Sequence, residues 1–387
     1  MPWIIPENKL DAQQIEFLDN VDITRKNVWI KGFAGSGKSV LLAYTAKRIL
    51  SRNSSSSVVL VVFTQSLVEM FKAAFQELGL RIEIDTYYGF MNGSRKYDYV
   101  LVDEVQDLTP RIISEMNRRA SHIVVAGDSN QSIYEFDPKW REATVSPSEI
   151  GRLINGDPFE LSIIYRLTRS IIDAVQRFLP RMNIFSSKIV MGKDDIKIKL
   201  FEATSEAQEV SYIMENATKA VNLGYSTAVL IPTQKKILAF VNQALLEAGK
   251  TPWTERTNQY GKIDFGAMNN YLKANDVKIQ YLGNGYGKFS ENDHRIVIMT
   301  FHSAKGLDFE NVFIPYANSG MFISSNESLA KTLFMVAMTR SKKNLYITYY
   351  GYPSDYLDSF KSNCSKINIS STTTKTAKAS ADNPWGF

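Results

Sequence analysis

Gly32-Phe33-Ala34-Gly35-Ser36-Gly37-Lys38-Ser39 is the stretch that decides the fold. An apolar, β-branched burst at 28–30 precedes it, and a helical pattern over 40–50 follows it. Strand, glycine-rich turn and helix in that order make a phosphate-binding loop inside an α/β domain. The glycines let the backbone wrap phosphates, and the helix N-terminus favours negative charge. On this reading Gly32, Ala34, Gly35, Ser36 and Gly37 form the cradle. Lys38 reaches the β- and γ-phosphates, and Ser39 ligates Mg²⁺. The plain alternative, a glycine-rich turn with an incidental lysine, fits the flanking strand and helix poorly.

Working outward, short apolar bursts at 58–63, 99–102 and 123–126 read as further buried strands, with a helix over 67–78. Continuous apolar strands separated by helices imply a parallel sheet covered on both faces. The pattern restarts with strands at 196–201, 227–231, 296–301, 312–315 and 345–350 and helices at 206–220, 235–248 and 329–339. The expectation is two tandem α/β units, 1–160 and 161–365, followed by a disordered Ser/Thr/Lys/Ala-rich tail over 366–387. That tail ends in Asn383-Pro384-Trp385-Gly386-Phe387, which reads either as an untethered end or as a docking peptide for a protein partner.

The chemistry-bearing residues follow the same order. Tyr97-Asp98-Tyr99-Val100-Leu101-Val102-Asp103-Glu104 is a strand ending in two carboxylates. Asp103 suits a Mg²⁺ ligand, and Glu104 suits a general base that orients an attacking water. Phosphoryl transfer also needs positive charge on the transferring group. Arg166 and Arg340, at the border of the second unit and within it, are candidate arginine fingers.

Length and composition agree with this picture. At 387 residues the chain holds two domains of ordinary size, and its formal charge of +5 is compatible with a polyanion without requiring one. One cysteine, Cys364, rules out an internal disulfide and fits a cytoplasmic protein. No run of about 18 apolar residues spans a membrane, and the opening Met1–Glu7 segment lacks the pattern of a signal peptide.

Taken together, these motifs resemble superfamily 1 helicases of the UvrD/PcrA/Rep type, from about residue 8 to 350. Asp103-Glu104-Val105-Gln106-Asp107 corresponds to the Walker B motif, and the run beginning Gly127-Asp128-Ser129-Asn130-Gln131-Ser132 to the motif coupling ATP to DNA. His302-Ser303-Ala304-Lys305-Gly306-Leu307-Asp308-Phe309 and Val336-Ala337-Met338-Thr339-Arg340 look like the two late motifs. The resemblance implies two RecA-like domains with ATP–Mg²⁺ between them and 3′→5′ movement on single-stranded DNA. It implies that Gln14 hydrogen-bonds adenine, Tyr165 stacks on it, and Gln131, Arg166 and Arg340 sense the γ-phosphate. Asp308 stands where the family usually has a glutamate on the ribose, one methylene shorter.

The same resemblance places a nucleic-acid groove at Phe63, Thr64, Thr86, Tyr88, Tyr134, Phe136, Thr300 and His302. The segment from Thr86 to Phe90 as a whole falls at such positions. Aromatic platforms with polar and basic neighbours are what single strands need. For any one of these aromatics, core packing is the competing explanation. Two large insertions of the family are missing: 91–102 is short, and the span 234–295 holds a helix or two at most. The expectation is a minimal ATP-dependent motor acting as a monomer on single-stranded, forked or gapped DNA. Rival readings are a protein-stripping translocase, a regulatory ATPase subunit of a repair, phage or defence complex, and a binding module with a degenerate ATP site.

Overall fold

Two parallel sheets, each covered by helices, make up the chain. The computed structural model describes residues 4–128, 132–137, 139–180, 188–189, 195–283, 285–287 and 294–367. Gln131 and the tail aromatics Trp385 and Phe387 lie outside the described residues.

The first sheet contains β1 (Asn27–Gly32), β2 (Val58–Val62), β3 (Glu83–Thr86), β4 (Tyr97–Val102), β5 (Ala120–Gly127) and β6 (Gly156–Leu161). Its order is β3-β2-β4-β5-β1-β6, and its pairings are parallel. Helices α1 (Ala12–Asn20), α2 (Lys38–Arg52), α3 (Gln65–Glu77), α4 (Tyr87–Asn92), α5 (Pro110–Arg118) and α6 (Ile150–Ile154) connect and cover these strands. β2 is buried at all five positions, which is why it reads as an unbroken Val/Leu run. β6 pairs only with β1, at the sheet edge, so Pro158 removes no ladder hydrogen bond on an outer side.

A two-strand pair, β7 (Ile163–Ile164) with β8 (Lys188–Ile189), and α7 (Arg169–Phe178) lead into the second unit. Its strands are β9 (Lys199–Ala203), β10 (Thr227–Ile231), β11 (Ile279–Tyr281), β12 (Ile296–Thr300), β13 (Phe309–Ile314), β14 (Ser341–Tyr350) and β15 (Ser365–Ile367). They lie in the order β11-β12-β10-β13-β14-β9-β15, again in parallel pairs. Helices α8 (Glu206–Asn222), α9 (Gln234–Glu247), α10 (Phe265–Ala274) and α11 (Glu327–Met338) complete it. The two parallel sheets are the expected tandem RecA-like arrangement.

The expected strand at 196–201 lies instead at Lys199–Ala203, because its partner in β14 is Tyr346–Tyr350 and the residues before Lys199 have no strand beside them. Lys366 and Ile367, assigned to the tail from sequence, form the edge strand β15 against β9. No helix among the described residues is long and apolar enough to cross a membrane.

Register positions the chemistry. Val28–Lys31 of β1 pair with Val124–Gly127 of β5, and Val102 of β4 pairs with Val125. The loops after β1, β4 and β5 therefore leave one edge of the sheet together, at the strand C-termini, where ligands of open α/β sheets bind. The apolar cluster of the second unit reaches across that edge to include Phe33, Ala34 and Ile133 of the first. The site is thus closed by packing as well as by charge.

Candidate functional site

The phosphate loop is shaped by its glycines. Gly35 and Gly37 take φ of 78° and 86°, the left-handed region that side chains disfavour. A Cβ at Gly37 would stand 2.3 Å from Gln14 Nε2, and one at Gly35 2.5 Å from Arg166 Cβ. Gly32 has the same constraint against Ser36 Oγ, at 2.3 Å. Gly37 also begins α2 with no side-chain cap, so the first N–H groups of that helix point into the loop. Lys38 Nζ donates to the carbonyls of Gly32 at 2.8 Å and Phe33 at 3.2 Å. Ser36 Oγ is buried without a hydrogen-bond partner. Ala34 is buried and packs into the inter-unit cluster.

Opposite the loop, β4 delivers the two carboxylates. Ser39 Oγ donates to Asp103 Oδ2 at 2.7 Å. A hydroxyl and a carboxylate this close, beside an uncapped helix start, form a fitting oxygen set for a hard divalent cation. Glu104 adopts φ 55°, ψ 43°, a conformation that costs of order 1–3 kcal/mol in a non-glycine residue and clusters at functional sites. That turn aims its carboxylate back at Gln106, whose Nε2 donates to Glu104 Oε2 at 2.5 Å. The environments split the two acids. Burial, then the neighbouring Glu104, raises Asp103 to about 6. Burial works against ionisation of Glu104 too, but Lys305, Lys38, Gln106 and Arg340 together hold it below the usual carboxylate range. Two adjacent acids are thus pushed apart, Asp103 upward and Glu104 downward.

Two arginines, one from the connection between the units and one from the second unit, bring positive charge. Arg166 follows β7 and packs its Cβ against Gly35. Its Nη1 pairs with Asp308 Oδ1 at 2.5 Å, and its Nη2 donates to the Thr339 carbonyl at 3.0 Å. Arg340 lies just beyond α11 and is 2% exposed. Its Nε donates to the Val336 carbonyl at 3.0 Å and its Nη2 to Thr339 Oγ1 at 3.2 Å, with Asp308 at 4.0 Å. Burial, then repulsion from Arg166, lowers Arg340 to about 10, so it remains a cation at neutral pH. Both arginines stand against Asp308 at the mouth of the phosphate loop.

Sequence reasoning did not single out Lys305. Its ammonium bonds Asp107 and lies 3.9 Å from Glu104, joining the units across 198 residues of chain. Asp107 has no exposed surface and Lys305 is 5% exposed. The signal was present: a buried carboxylate in the Asp103–Asp107 segment needs a cation. A lysine between Ala304 and Gly306 in an apolar run supplies one.

The residues expected to meet adenine, Gln14 and Tyr165, are engaged in bonds within the chain. Gln14 Oε1 accepts from the Asp11 backbone at 3.1 Å while the Asp11 carboxylate accepts from Gln13 and Gln14, a reciprocal cap on α1. Tyr165 donates its N–H to the Gly35 carbonyl at 3.0 Å, which fastens it to the phosphate loop. Burial, then Asp11, raises its hydroxyl well above the usual tyrosine value.

Of the expected groove residues, some converge and some do not. A cavity of about 770 Å³ between the units is lined by Thr64, Tyr134, Thr300 and His302 with Thr233 and Tyr286. Phe63 stacks between Tyr87 and Tyr134, at 4.9 and 4.8 Å, and Tyr134 meets His302 at 6.2 Å. Burial lowers the His302 imidazole, keeping it neutral. Thr64 and Thr86 are N-caps, accepting from Leu67 at 3.3 Å and Gly89 at 3.1 Å. Thr300 Oγ1 holds Ser303 at 3.0 Å. Tyr88 and Phe136 do not line the cavity; they stand exposed on the first unit. Phe90, inside the segment expected to contact DNA, is core: it is 2% exposed, stacked on Tyr97 and covered by the Arg119 guanidinium at 3.8 Å.

Comparison with known proteins meets this geometry. The UvrD-like helicase C-terminal domain family matches residues 258–352, and an AAA domain family matches residues 14–137. A probable DNA helicase II homologue of Mycoplasma capricolum is 31% identical over 136 residues, 33% of this chain and 18% of that protein. The ATP-dependent DNA helicase Rep of Buchnera aphidicola is 39% identical over 62 residues, 14% of this chain and 9% of that one. Over residues 14–137 and 258–352 the chain is similar to the UvrD-like superfamily 1 helicases. The F-box DNA helicase protein 1 of Schizosaccharomyces pombe is 23% identical over 359 residues, 79% of this chain and 40% of that one. The chain spans less than half the length of these curated relatives. A solved PRRSV helicase aligns over 87% of this chain and 54% of its own, at 14% identity and a TM-score of 0.43. Only Gly93–Lys96 separates α4 from β4, so nothing is inserted between them.

Proposed function

We propose that the chain is an ATP-dependent DNA helicase and translocase that moves 3′→5′ on single-stranded DNA. What supports it most is one meeting point. Lys38, Ser39, Asp103 and Glu104 come from the first unit, and Arg340 from the second, with Arg166 from the connection between them. None of these elements alone surrounds a phosphate chain.

The residues divide the work. The loop amides and Lys38 hold the phosphates, with Lys38 exchanging the Gly32 and Phe33 carbonyls for the β- and γ-oxygens. Ser39 and Asp103 would hold Mg²⁺, which supplies charge neutralisation on the phosphate oxygens when bound. Glu104 orients the water and takes its proton as oxygen bonds to the γ-phosphorus and the bond to the β-phosphate oxygen breaks. Arg166 and Arg340 turn from Asp308 to the charge developing on the transferred group. Gln131 joins as a γ-phosphate sensor. Gln14 breaks its cap on Asp11 to read adenine, and Tyr165 stacks on that base. Closing the units on ATP and releasing them after hydrolysis alternates the grip on bases stacked along Phe63, Tyr134 and His302.

A second reading has a specific observation in its favour. With only Gly93–Lys96 between α4 and β4, the chain lacks one of the insertions that contribute duplex contacts in the family. That favours a motor subunit that remodels protein–DNA complexes and unwinds little by itself, with the Trp385/Phe387 end of the chain docking its partner. A streptavidin-displacement assay on single strands biotinylated at either end tests direction and motion together. Displacement from the 5′ end that disappears in Lys38→Ala supports 3′→5′ translocation. Displacement from the 3′ end alone reverses the direction. Displacement without unwinding of a gapped duplex selects the second reading.

A further inference from the structure

Helix α11 is tied to the first unit at both ends. Its C-terminal end holds the two arginines: Arg340 Nε donates to the Val336 carbonyl at 3.0 Å, and Arg166 Nη2 to the Thr339 carbonyl at 3.0 Å. Arg166 in turn packs against Gly35 of the phosphate loop. The N-terminal end is capped by Asn326, whose Oδ1 accepts from the Leu329 N–H at 3.0 Å. The other half of that amide reaches across, and Nδ2 donates to Oε1 of Glu135 in the first unit. One side chain thus starts the helix and joins it to a residue 191 positions earlier. A carboxylate there also suits the positive end of the helix dipole.

Glu135 is placed to follow the cavity. It comes directly after Tyr134, whose ring lines that cavity and stacks on Phe63 at 4.8 Å. Thr144 holds the two residues as one piece: its Oγ1 donates to the Tyr134 carbonyl at 2.6 Å and its N–H to the Glu135 carbonyl at 3.0 Å. On the other side of the contact, α11 is stiff. Its 12 residues span about 18 Å at 1.5 Å each, and every residue from Leu333 to Met338 is buried. A shift at its N-terminus is therefore carried to the carbonyls that hold Arg166 and Arg340. Phosphoryl transfer feels such shifts, since a misplacement of about 1 Å can cost on the order of a hundredfold in rate.

We propose that Glu135 and Asn326 are positioning residues for hydrolysis: their contact seats α11 so that Arg166 and Arg340 meet the phosphate chain when a strand lies against Tyr134. This rests on reading the chain as a strand-driven ATPase. Both residues act through others. A base pressed on Tyr134 moves Glu135 with it, Asn326 follows, and the far end of α11 brings the two guanidinium groups onto the loop. The competing outcome is an exposed hydrogen bond without consequence.

The test is ATP turnover by the whole chain, with saturating oligothymidylate and without it, for wild type, Asn326→Asp and Asn326→Asp/Glu135→Gln. Aspartate caps a helix about as well as asparagine, so Asn326→Asp keeps α11 while facing Glu135 with a second carboxylate. The double variant restores the contact with donor and acceptor exchanged. The proposal expects the strand-stimulated kcat of the single variant to fall about fivefold or more, the lower end of coupling between sites, with KM for ATP and strand affinity within about twofold of wild type. The fall should be larger with the strand than without it, and the double variant should recover most of it. Wild-type stimulation in Asn326→Asp overturns the link and leaves the motor reading standing. So does a double variant as slow as the single one, because the loss then follows from position 326 alone. A loss confined to KM or to strand affinity overturns it as well. A wild-type turnover indifferent to the strand overturns both the link and the motor reading.

Discussion

Replacing Glu209 by Gln should make the chain more stable above pH 7 and change little near pH 5. Glu209 sits on α8 with no exposed surface. One carboxyl oxygen, Oε1, accepts from the Tyr316 backbone at 2.9 Å and from Thr348 Oγ1 at 2.5 Å. The other, Oε2, is buried without a hydrogen bond. Burial dominates, and the group is raised from 4.5 to about 7. The folded chain therefore holds this proton more tightly than the unfolded chain does. Its stabilising contribution is complete below pH 4.5 and is lost as pH rises to 7. A shift of about 2.5 units corresponds to roughly 3 kcal/mol at 1.36 kcal/mol per unit. Gln retains the Oε1 acceptor and places an uncharged amide where the protonated oxygen was, so that loss should vanish. The assay is equilibrium urea denaturation from pH 5 to 8, followed through Trp253, which is 5% exposed in the same apolar cluster as Tyr316. The expected result is a wild-type stability that falls across this window and a variant stability that does not, the curves together near pH 5 and apart by pH 8. Parallel curves, or a variant weaker at pH 8, would refute the reasoning.

Other consequences are equally concrete. Lys305→Met leaves Asp107 buried without its cation and should destabilise the closed arrangement by about 3–5 kcal/mol, with Asp107→Asn recovering most of the loss in the double variant. A denaturation cycle of the four proteins checks this, and additive losses would show that the pair is not coupled. Arg340→Ala should slow hydrolysis on the order of a thousandfold or more while nucleotide still binds. Nucleotide titration beside turnover separates this from a structural role, in which binding collapses as well. Affinity for single strands should fall steeply with salt, read by anisotropy at several ionic strengths. A flat response would count against a phosphate-tracking groove.

What the sequence made legible was local. The phosphate loop, α2 and the Asp103–Glu104 strand end are each a few contiguous residues whose chemistry follows from their order. Asp107 and Lys305 are 198 residues apart, and only the fold shows that one neutralises the other. The clasp of Arg166 and Arg340 on Asp308 was invisible for the same reason. Thr64 and Thr86 fall at positions matched to DNA contacts, yet their hydroxyl oxygens cap α3 and α4. A hydroxyl suits either task, and only the helix start tells them apart. Phe90 and Tyr88 are two residues apart in one aromatic segment, but helical geometry turns Phe90 into the core and Tyr88 out of it. β6 escaped detection because Pro158 and the charges of Asp157 and Glu160 mask a strand that needs only one partner.

The central claim is that Glu104, opposite Lys38 and the two arginines, makes this chain a nucleic-acid-driven ATPase. The most direct measurement is ATP hydrolysis by the purified chain with and without single-stranded DNA, for wild type and Glu104→Gln. The account predicts strong stimulation by the strand in wild type and its loss in the variant, with nucleotide binding retained. Turnover in Glu104→Gln equal to wild type, or a wild-type rate indifferent to DNA, would contradict it.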